Sequence, residues 1–276
     1  MIKKILLADS GQGQAEDMLK MLLRLPSIQD TKITILHAVP PQITPEELTT
    51  KWEEGGKVLA AALQSLQLDP QNVSTILRQG DPKDVVCQVA DELETDLIIM
   101  GSRGLRRLRA ILENSVSQYV FQLSSRPMLL VKDDIYVTQL RTVLVAMDQS
   151  QSAQYCLKLA LSLLKGVNGG KLILGHLGTR KPFENAEADP ILAAAADIAR
   201  REGIAYKCYS RGGKTGPGIC DLARETNANL TIIGSPDRRP SIAKNLVDLD
   251  RLLGSSTSDY VRVNIECPVL LARLSI

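Results

Sequence analysis

Short apolar runs alternate along this chain with stretches in which apolar residues recur every three or four positions. Ile5-Leu6-Leu7-Ala8, Leu97-Ile98-Ile99-Met100 and Met128-Leu129-Leu130 are apolar without alternation, as expected of parallel strands buried on both faces. After the first run, Ala15, Met18, Leu19 and Leu22 stand at helical spacing. Thr44-Pro45-Glu46-Glu47 reads as an N-cap, a first-turn proline and two acids opening a long second helix. Asp81-Pro82 opens a third in the same way, and Asn114 or Ser115 is placed to cap a fourth that runs to Leu123. Strands are predicted at 2–9, 31–39, 72–79, 96–101 and 126–132, and again at 141–148, 171–177, 204–211, 229–234 and 267–273. Each half is thus expected to be an α/β domain with a five-stranded, parallel-type sheet and helices on both faces.

The halves repeat one another. Ile5 to Ser10 is answered by Leu144 to Gln149 at an offset of 139, which also maps His37 onto His176. Asp96-Leu97-Ile98-Ile99-Met100-Gly101-Ser102 is answered by Asn229-Leu230-Thr231-Ile232-Ile233-Gly234-Ser235 at 133, and Tyr119-Val120 by Tyr260-Val261 at 141. The length changes fall in loops or helix edges. Two domains are expected, 1–133 and 140–276, joined by a linker at 133–139.

Composition narrows the class. At 276 residues, 44% hydrophobic and 23% charged, the chain is long enough for two cores that need no disulfide or metal. The net charge of +2 is too balanced to call for a nucleic-acid partner. The halves differ, with 15 basic against 18 acidic residues in 1–138 and 18 against 13 in 139–276. No apolar stretch approaches a membrane span, and the run after Lys3-Lys4 is too short for a signal peptide, so a cytoplasmic protein is expected. The five cysteines are scattered without a C-x-x-C pair and read as buried small hydrophobes, not as a disulfide framework or zinc site.

In an open α/β sheet, ligands bind beyond the carboxyl ends of the strands. After the fourth strand stands Gly101-Ser102-Arg103-Gly104, and nine residues beyond Gly104 come Asn114-Ser115, where the fourth helix should begin. Glycines admit phosphate oxygens to backbone N–H groups, and a helix N-terminus adds roughly 0.3–1 kcal/mol for an anion. Micromolar affinity requires about 8 kcal/mol, so an apolar slot for a base near Asp9 and Val39 has to supply most of the rest.

These residues resemble the universal stress protein family, whose nucleotide-binding members carry Gly-x2-Gly-x9-Gly-[Ser/Thr] after the fourth strand and an Asp ending the first. The resemblance covers almost the whole chain, twice. It implies tandem domains with strand order 3-2-1-4-5. It also implies pairing of the two halves through strands 126–132 and 267–273, and a homodimer beyond that. By similarity to ATP-binding members, Asp9 and Val39 hold the adenosine end, and Gly101, Ser102, Arg103, Gly104, Asn114, Ser115 and Val116 the phosphates, with Mg²⁺ accompanying ATP. Asn114 replaces the family's third glycine, and Asn tolerates a positive φ better than most residues. The second half departs further: Asp237 stands where Gly104 does and would repel a phosphate, and an insertion containing Arg238-Arg239-Pro240 follows. That site reads as degenerate.

Other patterns carry less. Gly213-Lys214-Thr215 looks like the end of a Walker A loop, but Cys208 stands at the first glycine's place, so a helix-entry turn is expected. Gly11-Gln12-Gly13 lacks the third glycine of a dinucleotide fingerprint, Glu16 standing there. Arg103, Arg106, Arg107 and Arg109 form either a solvated basic face or an anion or partner site beside the nucleotide. His37 and His176 end second strands and read as packed, satisfied imidazoles. No nucleophile–histidine constellation or metal cluster is visible. Three functions follow: a non-enzymatic ATP-binding regulatory protein acting on an unidentified protein partner, an interaction scaffold that has lost nucleotide binding, and a slow nucleotide phosphohydrolase.

Overall fold

The computed structural model describes residues 2–11, 14–102, 116–132, 135, 137–235 and 256–273. The chain divides into two compact units, Met1–Arg24 with Ile28–Tyr136, and Val137–Ile276 with Leu25–Ser27. In the first, β1 (Lys4–Ala8), β2 (Lys32–Val39), β3 (Val73–Gln79), β4 (Leu97–Ser102) and β5 (Met128–Lys132) are parallel throughout and lie in the order β3-β2-β1-β4-β5. Leu7 pairs with Ile35 on one side and Ile99 on the other. Leu6 and Leu7 are fully buried, as two helix-covered faces require of the central strand. The strand order reverses beside β1, so a crevice is expected beyond the ends of β1 and β4.

Four helices cover this sheet among the described residues: α1 (Gln14–Leu23), α2 (Pro45–Leu66), α3 (Pro82–Glu92) and α4 (Val116–Leu123). Thr44 caps α2 in a full capping box: its hydroxyl accepts the Glu47 N–H at 3.2 Å, and the Glu47 carboxylate accepts the Thr44 N–H at 3.3 Å. Asp81 caps α3 by accepting the Lys83 N–H at 3.0 Å. α4 runs to Leu123 as predicted, but Asn114 and Ser115 lie outside the described residues.

α2 touches β2 through a narrow stripe of Gly55, Leu59, Ala62 and Leu66. A Cβ at Gly55 would stand 2.7 Å from Leu77 Cδ1, 2.9 Å from His37 Cδ2 and 3.3 Å from Val39 Cγ2, so this helix rests on the sheet at van der Waals distance. Overpacking of this kind costs roughly 1–3 kcal/mol, and the poor helix propensity of glycine offsets less than about 1 kcal/mol of it. Gly55→Val is therefore expected to lower the first unit's melting temperature by roughly 5 °C, read by circular dichroism. An unchanged or raised midpoint would mean that α2 does not seat there.

In the second unit β6 (Thr142–Ala146), β7 (Lys171–Leu177), β8 (Ala205–Arg211), β9 (Leu230–Gly234) and β10 (Val269–Ala272) repeat the arrangement as β8-β7-β6-β9-β10. Its helices are α5 (Gln151–Leu164), α6 (Pro190–Arg201), α7 (Thr215–Glu225) and α8 (Thr257–Asn264). Eight of the ten strands are one to three residues shorter than predicted, because a ladder ends where its partner turns away. The repeat pair Asp96 and Asn229 fixes one such end in each unit. Asp96 Oδ2 accepts the Lys3 and Lys4 N–H groups at 2.7 and 2.9 Å. Asn229 Oδ1 accepts those of Arg141 and Thr142 at 3.0 and 2.9 Å. None of the five cysteines forms a disulfide; Cys156, Cys220 and Cys267 are buried as expected and Cys87 and Cys208 only half-buried.

Candidate functional site

A cavity of about 710 Å³ opens beyond the carboxyl ends of β1, β2 and β4 in the first unit, within the usual range for small-ligand sites. Asp9 lies in its wall, 6% exposed. One carboxylate oxygen, Oδ1, accepts the Gly11 N–H at 2.9 Å, in a turn that Gly11 permits with φ of +78°. The other, Oδ2, is buried and finds no hydrogen-bond partner among the described residues. Burial pushes the Asp9 carboxyl above its ordinary range, against the opposing pull of the Gly11 N–H and of His37. His37 ties the ends of β1 and β2 together, its Nδ1 lying 2.9 Å from the Asp9 carbonyl oxygen.

Of the nine residues the sequence singles out, Asp9, Val39, Gly101, Ser102 and Val116 line this one cavity. Arg103, Gly104, Asn114 and Ser115 lie outside the described residues, as do Arg106, Arg107 and Arg109. At Gly101 a Cβ would meet no atom of the described residues within 4 Å. The opposite wall comes from α2, whose Lys51, Glu54 and Val58 face the cavity beside the Gly55 contact. Lys51 Nζ and Glu54 Oε2 are 2.7 Å apart, and Lys51 holds the Glu54 carboxyl below its ordinary range. Sequence reasoning missed this wall. Its only signal is a mid-helix glycine flanked by polar residues at i−4 and i−1.

The corresponding place in the second unit is built differently. Asp148 is exposed, and its Oδ1 accepts the Ser150 N–H at 2.8 Å. Ser150 caps α5, so that helix starts three residues after the aspartate, whereas α1 starts five after Asp9. The shorter turn brings Ser152 onto Gly234, where a Cβ would lie 2.7 Å from its Oγ. Gly178 stands where Val39 does, with φ of +81° and the Thr215 hydroxyl against it. Asp237 and the insertion after it lie outside the described residues. Gly213 (φ +92°) and Lys214 form the entry to α7, as the helix-entry reading of Gly213-Lys214-Thr215 expects.

His176 is satisfied, but by a carboxylate: its Nδ1 lies 2.6 Å from Asp189 Oδ2, which also accepts the Ser210 hydroxyl at 3.2 Å. Asp189 Oδ1 accepts the Ile191 N–H at 3.0 Å and caps α6. Serine and histidine both address the aspartate, so the order of a nucleophilic relay is missing. Burial works to raise the Asp189 pKa, yet His176 and the N–H and O–H donors outweigh it and hold the carboxyl below its ordinary range. Its stabilising contribution is thus complete above the unfolded value near ~3.9 and is lost as pH falls through the folded one. Asp189→Ala is expected to cost the second unit roughly 2–3 kcal/mol in urea unfolding, from the lost cap and two stranded donors. A cost under about 0.5 kcal/mol would refute this role.

Among the described residues, no cluster of three or more His, Cys, Asp or Glu is placed to hold a metal, and no helix is long and apolar enough to cross a membrane. Two doubly wound α/β units, one with a ligand-sized cavity beyond its strand ends, define a tandem α/β protein. The universal stress protein family model matches residues 1–132 and again 139–273, and the chain belongs to that family. The universal stress protein YxiE of Bacillus subtilis is 28% identical over 148 residues, covering 48% of this chain and 100% of that protein. Universal stress protein Sll1654 of Synechocystis is 30% identical over 135 residues, covering 48% of this chain and 86% of its own. A crystal structure of a universal stress protein from Archaeoglobus fulgidus superposes with a TM-score of 0.77 at 22% identity over 98% of both chains, a likeness of fold.

Proposed function

We propose that the first unit binds an adenine nucleotide, ATP with Mg²⁺ as its phosphates' counter-ion, and that the protein is a non-enzymatic regulatory module. The observation that carries this reading is the buried Asp9 Oδ2, without a hydrogen-bond partner among the described residues, in the wall of a cavity that Gly101 also lines. A ribose hydroxyl supplies the donor that Asp9 lacks. Val39 and its apolar neighbours Leu36, Val58 and Met100 receive the base, and Gly101, Ser102 and Val116 the phosphates, together with Arg103, Gly104, Asn114 and Ser115 by the family resemblance. Nucleotide then shifts the population of a state that a protein partner or a second copy recognises in the cytoplasm, by its differential affinity for that state.

For the second unit an interaction role is the better reading, because Ser152 occupies the space above Gly234. The test is to heat-denature the purified full chain and identify any released small molecule by chromatography and mass spectrometry. An adenine nucleotide at up to one per chain is expected. A different ligand class in stoichiometric amount would overturn the reading.

A further inference from the structure

α2 is only half seated on the first unit. From Gly55 onward it rests on its neighbours: Gly55 abuts Leu77, His37 and Val39, a Cβ at Gly11 would lie 3.1 Å from Val58 Cγ2, and Leu59, Ala62 and Leu66 are buried. Residues 45–54, the first half of the helix, are exposed throughout except for a half-buried Leu48. They reach about 15 Å past the seat. Among the described residues, every side-chain hydrogen bond they make stays within α2 and its cap. Thr44 and Glu47 cap each other, the Thr49 and Thr50 hydroxyls donate to the Pro45 and Glu46 carbonyls at 3.0 Å, and Lys51 holds Glu54. Yet Lys51 and Glu54 line the cavity, so a stretch with no polar tie to the rest of the unit forms part of its wall.

The two halves of the helix join at Gly55-Gly56. Close approach to the sheet accounts for Gly55 but not for Gly56, which is exposed and has no positive φ, and where a Cβ would meet no atom of the described residues within 4 Å. Helix propensity favours alanine over such a glycine by about fivefold. Paired small residues are places where helices bend, and a helix as short as residues 45–54 is marginal by itself in water. The part of α2 that opens most readily is therefore this first half, and the break falls at the glycine pair.

We propose that residues 45–54 form a lid on the cavity, released at Gly55-Gly56, whose opening governs ligand entry and exit. The inference rests on the reading that the cavity holds a nucleotide, and it supplies the two-state element which that reading requires. A ligand touches the lid only when the lid is seated, so it holds the lid closed. Leu48 and Trp52 ride on the lid, and the surface they offer a partner changes with it.

The test has two arms, both on the full chain, with Gly56→Ala as the variant. In the ligand-free protein, amide hydrogen exchange should divide α2 in two. Amides 49–58, which bond to the carbonyls of residues 45–54, should open together as one unit, and amides 61–66 at least about tenfold less often. Gly56→Ala should slow exchange of the first set about fivefold and leave the second unchanged. A smooth gradient of protection from residue 49 to residue 66, or a first set that the variant leaves unchanged, would overturn the proposal. In the second arm, association and dissociation of ATP with Mg²⁺ are followed by surface plasmon resonance. Both rates should fall about fivefold in Gly56→Ala while Kd stays within about twofold, because the open state becomes rarer and the end states are the same. Binding with unchanged rates would overturn it. If neither protein binds ATP, the nucleotide reading fails, and the exchange pattern decides the lid by itself.

Discussion

Gly101→Leu is expected to abolish nucleotide binding while leaving the fold intact. No atom of the described residues stands within 4 Å of a Cβ at this position, and Gly101 is not among the glycines with positive φ, so a side chain is accepted without strain. The new isobutyl group then occupies the cavity end where the phosphates are to lie. A loss of at least about 100-fold, near 3 kcal/mol, is expected in a calorimetric titration with ATP. The melting temperature should stay within the change that about 0.5 kcal/mol produces. Gly234→Leu should do the reverse. At that position the side chain meets Ser152 Oγ at 2.7 Å and Ser152 Cβ at 2.9 Å, so stability falls by roughly 1–3 kcal/mol and nucleotide affinity is unchanged. Loss of binding from the Gly234 variant alone would place the site in the wrong unit.

Asp9→Asn should move stability and affinity in opposite directions. The amide keeps the acceptor that takes the Gly11 N–H and turns the oxygen that lacks a partner among the described residues into a donor. Removing a buried charge should stabilise the ligand-free protein by about 1 kcal/mol near neutral pH. The sign follows from the raised pKa. A carboxyl that binds its proton more tightly when folded stabilises the fold fully below the unfolded pKa, and that contribution is lost as pH rises through the folded value. The variant should lack this alkaline loss. A ligand hydroxyl, however, now meets a donor, and affinity should fall about 10- to 100-fold, the worth of a hydrogen bond to a charged group. Thermal melts against pH, together with titration, read both effects. Lowered stability together with full affinity would assign Asp9 to the fold and not to the site.

The fold was legible because both halves state it in the same vocabulary. Unalternating runs such as Leu97-Ile98-Ile99-Met100 announce buried parallel strands, and Thr44-Pro45 and Asp81-Pro82 mark helix starts that local hydrogen bonding alone decides. The site was legible only where it follows a strand end. Asp9, Val39, Gly101 and Ser102 are found by that rule, and Val116 by the family resemblance alone. Lys51 and Glu54 are not, because they reach the cavity through the packing of α2 on the sheet. That approach depends on the missing Cβ of Gly55 and on the length of the turn after β1. The same turn explains the second unit: a start of α5 two residues earlier, unremarkable in the sequence, puts Ser152 over Gly234. Cys87 and Cys208 show the limit of composition, since residue type alone gave no reason to expect them half-buried.

The central claim is one working nucleotide site per chain, in the first unit. Equilibrium dialysis of the full chain against saturating ATP and Mg²⁺, with the stoichiometry checked by native mass spectrometry, addresses it most directly. One ATP per chain, absent from Gly101→Leu and retained by Gly234→Leu, is the predicted result. No bound ATP at saturation, or two per chain, would contradict it.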